Sequence, residues 1–192
     1  EAKAAEEERR YKEAKDSMIG WEDPRVMEES IIGAKLEPAG LTVHPIQADG
    51  HCLYRALSDQ CSQCAGDASE RLFDLWGGDE GFMKLRKAAG QFMRQHPDDF
   101  APFVCAEDDS GSDDPYAEYL RKVEETAEWG GHLELQALSR ALPAHIHVHS
   151  AQMDEQVFSP SVPCGTHLQV SYHKHAFGLG EHYNSVRRAP AM

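Results

Sequence analysis

Residues 46–60 read IQADGHCLYRALSDQ. After Cys52 the apolar and small residues Leu53, Ala56 and Leu57, with Gln60, follow helical spacing, so the stretch predicts a turn that opens into a helix with a cysteine at the junction. Asp49 is a good N-cap residue. With Asp49 as the cap, Cys52 is the third helical residue, and the amides of Gly50, His51 and Cys52 have no helical carbonyl to serve. Free amides at the positive end of a helix lower the pKa of a thiol placed there. They also suit the oxygen of an acyl-transfer intermediate as it gains charge. Gly50 allows a tight turn and keeps a side chain out of a substrate's approach. The carboxylate of Asp49 opposes thiolate formation, so its use lies in ordering the loop.

A thiol nucleophile needs a base that later acts as an acid toward the leaving amine. The chain has 11 histidines, so an orienting partner is the discriminating feature. GEHYNSV, residues 180–186, supplies one: on a strand, His182 and Asn184 share a face and Tyr183 takes the other. Asn184 can hold one ring nitrogen of His182 and aim the other at Cys52, the triad logic with a neutral third member. Buried structural cysteines at helix starts are common, and that plainer reading stays open at this point.

Rival constellations are weaker. Cys61 and Cys64 form one CxxC inside the helix that follows Cys52, with no second pair to complete a four-ligand zinc site. His145, His147 and His149 alternate along HIHVHS and read as the polar face of an edge strand. His173 and His175 read as surface residues. No metal site is expected.

The rest of the chain frames these elements. Its 192 residues suffice for one domain with a core. No run approaches the roughly 18 apolar residues of a membrane span. The net charge of −14 argues against sequence-independent binding to nucleic acid, which needs clustered cations. Five cysteines, an odd number, together with a charged N-terminus, suggest reduced thiols in the cytoplasm or also the nucleus. The sequence begins at Glu1 and reads as part of a longer chain.

Residues 1–32 form a charged helical arm with a thin apolar stripe, Tyr11, Ala14 and Met18; it reads as a solvated lead-in or as the end of a longer helical or coiled-coil segment, a place for a protein partner. LTVHPI, residues 41–46, is a weak strand ended by Pro45. DEGFMKLRKAAGQFMRQH is a helix stopped by Pro97. PYAEYLRKVEETAEW starts on a helix-compatible Pro115, and Gly130–Gly131 break it. HLELQALSRAL is a helix ended by Pro143, and HIHVHS, THLQVSYH and HYNSV are strands, with SPSVPCG and KHAFGLG as turns. Helices first and strands later predict an α+β fold.

DGHCLYRAL, EWGGHLELQAL and GLGEHYNSV, in that order, resemble the OTU (ovarian tumour) cysteine proteases, which are deubiquitinases, over residues 41–186. The last motif and the charged lead-in look most like the subgroup with an N-terminal coiled coil and a C-terminal OTU domain. The resemblance implies a papain-like α+β domain of OTU type over residues 33–192, with a small, mostly antiparallel sheet packed between helices. It implies that Cys52 is the nucleophile, His182 the general base and Asn184 the third member, at a position where relatives carry Asp or Asn. Asp49 matches the aspartate of the preceding loop, and the amides near Gly50 and Cys52 are the implied oxyanion hole. Trp129, Gly130 and Gly131 match a motif beside the cleft, where with Gly50 they suit the narrow Gly-Gly tail of ubiquitin. His51 occupies a variable position and is grouped with the substrate contacts. The implied reaction is hydrolysis of isopeptide bonds at ubiquitin's C-terminal glycine, with no cofactor or metal, by a monomeric domain. The acidic residues 107–114 would steer ubiquitin's basic surface. A catalytically silent ubiquitin-binding adaptor or scaffold is the alternative.

Overall fold

The helix that begins at Cys52 is buried on almost every side, because small and apolar residues occupy most of its surface. In the computed structural model, which describes Glu6 and residues 23–64, 70–107, 112–177 and 180–190, this helix is α2, Cys52–Ser62. It lies between the sheet and a layer of further helices. Ahead of it come α1 (Pro24–Leu36), a 3-10 turn (Glu37–Ala39) and β1 (Leu41–His44). After it come α3 (Glu70–Trp76), α4 (Gly81–Gln95), α5 (Pro97–Glu107), α6 (Pro115–Glu125) and α7 (His132–Ala141). The strands β2 (His145–Ser150), β3 (Gln156–Phe158), β4 (His167–Phe177) and β5 (Gly180–Arg188) close the chain.

The five strands form one sheet in the order β1-β5-β4-β2-β3. Every pairing is antiparallel except β2 with β4. Period-two alternation divides its faces. Ile146, Val148, Leu168 and Val170 join the main core with Leu53, Leu57, Leu85, Leu135 and Leu138 of the helices. On the opposite face Ile32 and Leu36 of α1 pack on Val186. The α+β sandwich implied by the OTU resemblance is thus present.

Polar side chains pin α2 to the sheet. The buried Gln60 amide donates to Ser185 Oγ at 2.8 Å and to the Val186 carbonyl at 2.5 Å, and its oxygen accepts the Gln169 amide at 2.8 Å. Asp59 pairs with Arg187 and accepts from Ser185 Oγ at 2.6 Å. On the other face Glu28 of α1 is buried, and it accepts from Gln152 Nε2 at 2.7 Å and from the Lys174 and His175 amides at 2.8 Å. Burial by itself would raise this carboxyl. The hydrogen bonds from Gln152, His175 and Lys174, with His173 nearby, outweigh it and hold the pKa below its ordinary value.

Several expectations need correction. The boundary set at residue 32 falls inside α1, because Glu28, Ile32 and Leu36 are all drawn into the domain; the arm at residues 7–22 lies outside the described residues. Pro97 does more than stop α4: it opens α5, a helix with Pro102 inside it. KHAF, residues 174–177, continues β4 rather than turning. HIHVHS is not an edge strand, since β3 pairs along its outer side. His173 is only 2 % exposed and bonds Ser171 Oγ at 2.9 Å, so it is not a surface residue, whereas His175 is exposed.

Replacing Gln60 with Ala leaves an amide and a carbonyl on β4 and β5 without their buried partner. Unfolding in urea is expected to show a loss of about 2–4 kcal/mol; a loss below about 0.5 kcal/mol would contradict the pinning role. Glu28 makes a second prediction. Its folded pKa lies below the ordinary 4.5, so its contribution is complete above that value and drains away as pH falls through the folded pKa. Melting temperatures from pH 7 to 3 should drop less steeply in Glu28→Ala than in wild type; parallel curves would rule out the linkage.

Candidate active site

The loop before α2 begins after β1 at Pro45. Asp49 organises it: Oδ1 accepts the His51 amide at 2.8 Å and Oδ2 pairs with Arg55 Nε at 2.9 Å. The helix cap is therefore His51, not Asp49, and Cys52 is the first helical residue rather than the third. The reason is local. The Asp49 carboxylate turns back on His51 in an Asx turn, and its carbonyl takes the Cys52 amide at 3.2 Å. Of the amides expected to be free, that of His51 is occupied and that of Cys52 is only loosely held.

Cys52 is 8 % exposed. Burial pushes its thiol above the ordinary value, against the Tyr183 and Leu53 amides that favour the thiolate; the Asp49 charge adds to the rise. The amides at the helix start act in the expected direction, but desolvation outweighs them. Tyr183 lies on β5 between His182 and Asn184.

His182 is buried, and its Nε2 lies 3.0 Å from Asn184 Oδ1. The same oxygen accepts the Ile46 amide at 2.8 Å. Two donors converge on it, so Nε2 carries a proton and the lone pair of the neutral ring sits on Nδ1. Burial lowers the pKa of His182, against the favourable contacts with Asn184, the Ile46 backbone and the Asp49 charge. Both shifts favour the uncharged thiol and the uncharged imidazole.

The third motif lies on the loop between α6 and α7. Trp129 is 51 % exposed, and its ring approaches Gly180 at the start of β5. A side-chain carbon on Gly130 would meet Leu53 at 2.8 Å and the Tyr54 ring at 3.0 Å, so this glycine exists to seat the loop on α2. One on Gly50 would fall 1.8 Å from the Ala127 carbonyl oxygen. The neighbouring loop therefore requires glycine at position 50. Gly131 donates to Glu134 Oε2 at 2.6 Å, and Tyr119 hydroxyl donates to Glu134 Oε1. The His51 ring leans on Phe82 at 5.1 Å, with the Arg55 guanidinium 3.9 Å over the same ring. A cavity of about 360 Å3 opens beside Trp129, and one of about 440 Å3 beside Asn184.

The sequence reading missed Arg86, Glu134 and Ile46. Glu134 was detectable as the acid three residues into α7, one half of a capping box. Ile46 acts through its amide, and Arg86 looks like any surface arginine of an amphipathic helix. Cys61 is buried in α2, as the plain reading had it, and among the described residues no cluster of three His, Cys, Asp or Glu is placed to hold a metal.

Residues 47–183, which include the Cys52 and His182 elements, match the family described as OTU-like cysteine protease. The chain belongs to that family. This OTU chain is 33 % identical over 198 residues to human deubiquitinase OTUD6B, covering 98 % of this chain and 61 % of the relative. It is 34 % identical over 166 residues to OTU domain-containing protein 2 of Saccharomyces cerevisiae, covering 85 % and 51 %. It thus spans between half and three fifths of these relatives. Among solved structures, the OTU domain of OTUD1 superposes with a TM-score of 0.57 at 22 % identity, over 85 % of this chain and 97 % of that one. An OTU domain in complex with ubiquitin superposes at 0.52 and 19 % identity, over 76 % and 69 %. These likenesses show the OTU fold.

The raised Cys52 pKa predicts slow alkylation at neutral pH. The rate of Cys52 carboxamidomethylation, followed by mass spectrometry, should climb with a midpoint above the ordinary 9.0. A plateau reached below pH 7 would show a preformed thiolate instead.

Proposed function

We propose that this OTU domain is a thiol-dependent deubiquitinase that hydrolyses isopeptide bonds at the C-terminal glycine of ubiquitin through Cys52, His182 and Asn184. One observation carries the reading. His182 is bonded to Asn184 on β5, and the amide of the intervening Tyr183 is among the groups that favour a Cys52 thiolate. The name of the human relative, a deubiquitinase, supports the substrate class.

The chemistry follows from the uncharged pair that both shifts favour. As the substrate carbonyl approaches, Cys52 Sγ attacks it and His182 Nδ1 takes the thiol proton. The imidazolium is stabilised by Asn184 Oδ1 at Nε2. The carbonyl oxygen becomes an oxyanion, and the Cys52 amide at the helix start is a backbone donor suited to it. Collapse breaks the C–N bond, and His182 returns its proton to the departing lysine amine. Water then attacks the thioester with His182 as base, freeing the ubiquitin carboxylate and the Cys52 thiol. Asp49 keeps the loop in register through His51 and Arg55. Trp129 and Gly131 flank the path of the ubiquitin tail, as does His51. The reaction needs no metal or cofactor, and a reducing compartment such as the cytoplasm keeps Cys52 free. Acidic steering by residues 107–114 stays part of this proposal, although 108–111 lie outside the described residues.

The test is reaction with ubiquitin bearing a C-terminal thiol-reactive group. Wild type should form a covalent adduct that Cys52→Ala abolishes and His182→Ala slows by roughly a hundred-fold or more. Asn184→Ala should slow it less. A folded wild type that binds ubiquitin without forming the adduct would replace this reading with the silent adaptor.

A further inference from the structure

Arg86 lies on α4, outside every motif that drew attention in the sequence, yet it is fully buried. A buried guanidinium is unfavourable unless its donors are met. Here backbone carbonyls meet both terminal nitrogens, while Nε is left without a partner. Nη1 donates to the Val123 carbonyl at 2.8 Å, and Nη2 donates to the Gly50 carbonyl at 2.8 Å and the Glu128 carbonyl at 2.6 Å. The guanidinium lies 4.3 Å over the Tyr54 ring on α2. One nitrogen therefore joins the loop before Cys52 to the residue before Trp129.

The Gly50 carbonyl is the informative partner. In a trans peptide the carbonyl and the following amide point opposite ways. With the Gly50 carbonyl held by Arg86, the His51 amide is turned onto Asp49 Oδ1, where it sits at 2.8 Å. Glycine is the residue whose adjoining peptide rotates most freely, and Gly50 cannot be exchanged for a stiffer residue because Ala127 occupies the space. The loop thus needs an outside constraint, and Arg86 supplies one.

We propose that Arg86 is a positioning residue for the nucleophile: it fixes the Gly50–His51 peptide and fastens the Asp49–His51 loop to the Glu128–Gly131 loop as one unit. As a statement about turnover this rests on the deubiquitinase reading. As a statement about the loop it does not.

The experiment compares wild type with Arg86→Lys, which keeps the charge but not the fork of donors. Two readouts are taken: kcat and KM on a fluorogenic ubiquitin C-terminal amide, and iodoacetamide labelling of Cys52 against Cys61. In the folded variant kcat should fall about ten-fold or more, as small misplacements of reacting groups do, while KM stays within about two-fold. Cys52 should label faster and Cys61, buried further along α2, should not. Unchanged kcat, or both cysteines speeding up together as in general loosening, would overturn the proposal. Wild type that labels but does not turn over ubiquitin would overturn the deubiquitinase reading, while the Cys52 to Cys61 contrast would still decide the loop claim. If Arg86→Lys does not fold, hydrogen exchange in wild type decides: the His51 and Glu128–Gly131 amides should open together, and separate opening would overturn the coupling.

Discussion

The burial of α2 is the constraint on which the other parts rely. A helix enclosed on nearly all sides cannot slide or roll without breaking packing, and its far end is tied to β5 by Asp59 and Gln60. Gln60 and Cys52 are eight residues apart, or about 12 Å along the axis. A displacement at one end is therefore felt at the other. The bonds from Gln60 to Ser185 and Val186 fix β5 just past Asn184, so the same pins set the helix that bears Cys52 and the strand that bears His182.

The site is governed by desolvation more than by formal charge. The chain carries −14 overall, yet the loop before Cys52 is held by two cations, Arg55 paired with Asp49 and the buried Arg86 on the Gly50 carbonyl. Shielding from water raises the thiol pKa and lowers the imidazole pKa.

Elements with strong periodicity or plain punctuation were legible in the sequence. HIHVHS, HLELQALSRAL and the run after Cys52 declared themselves by spacing, and His182 and Asn184 could be paired because two residues separate like faces of a strand. Three kinds of feature were not legible. α5 holds prolines at both ends of its first turns, which argue against a helix in isolation. The three residues of β3 are too few to show alternation. Interactions made through the backbone, those of Ile46, Gly50 and Glu128, leave no mark in side-chain identity. The cap was misread because Asp49 spends its carboxylate on His51 and Arg55, a choice that depends on Arg55 lying one turn into the helix. The need for glycine at position 50 set by Ala127 could not be read, since that residue lies on a loop more than seventy positions away.

The Glu28 contact separates two ideas of where this domain starts. The match to the OTU family pattern begins at residue 47, but the carboxylate that receives the amides of Lys174 and His175 lies nineteen positions earlier. Between them runs β1, an entire edge of the sheet. A protein expressed from the first recognisable residue would leave β5 with an uncovered edge and β4 with two amides facing an empty trough, next to the strand that bears His182. The cooperative unit of this molecule is accordingly longer than its unit of resemblance, and the helix in front is structural tissue of the domain and not a leash attached to it.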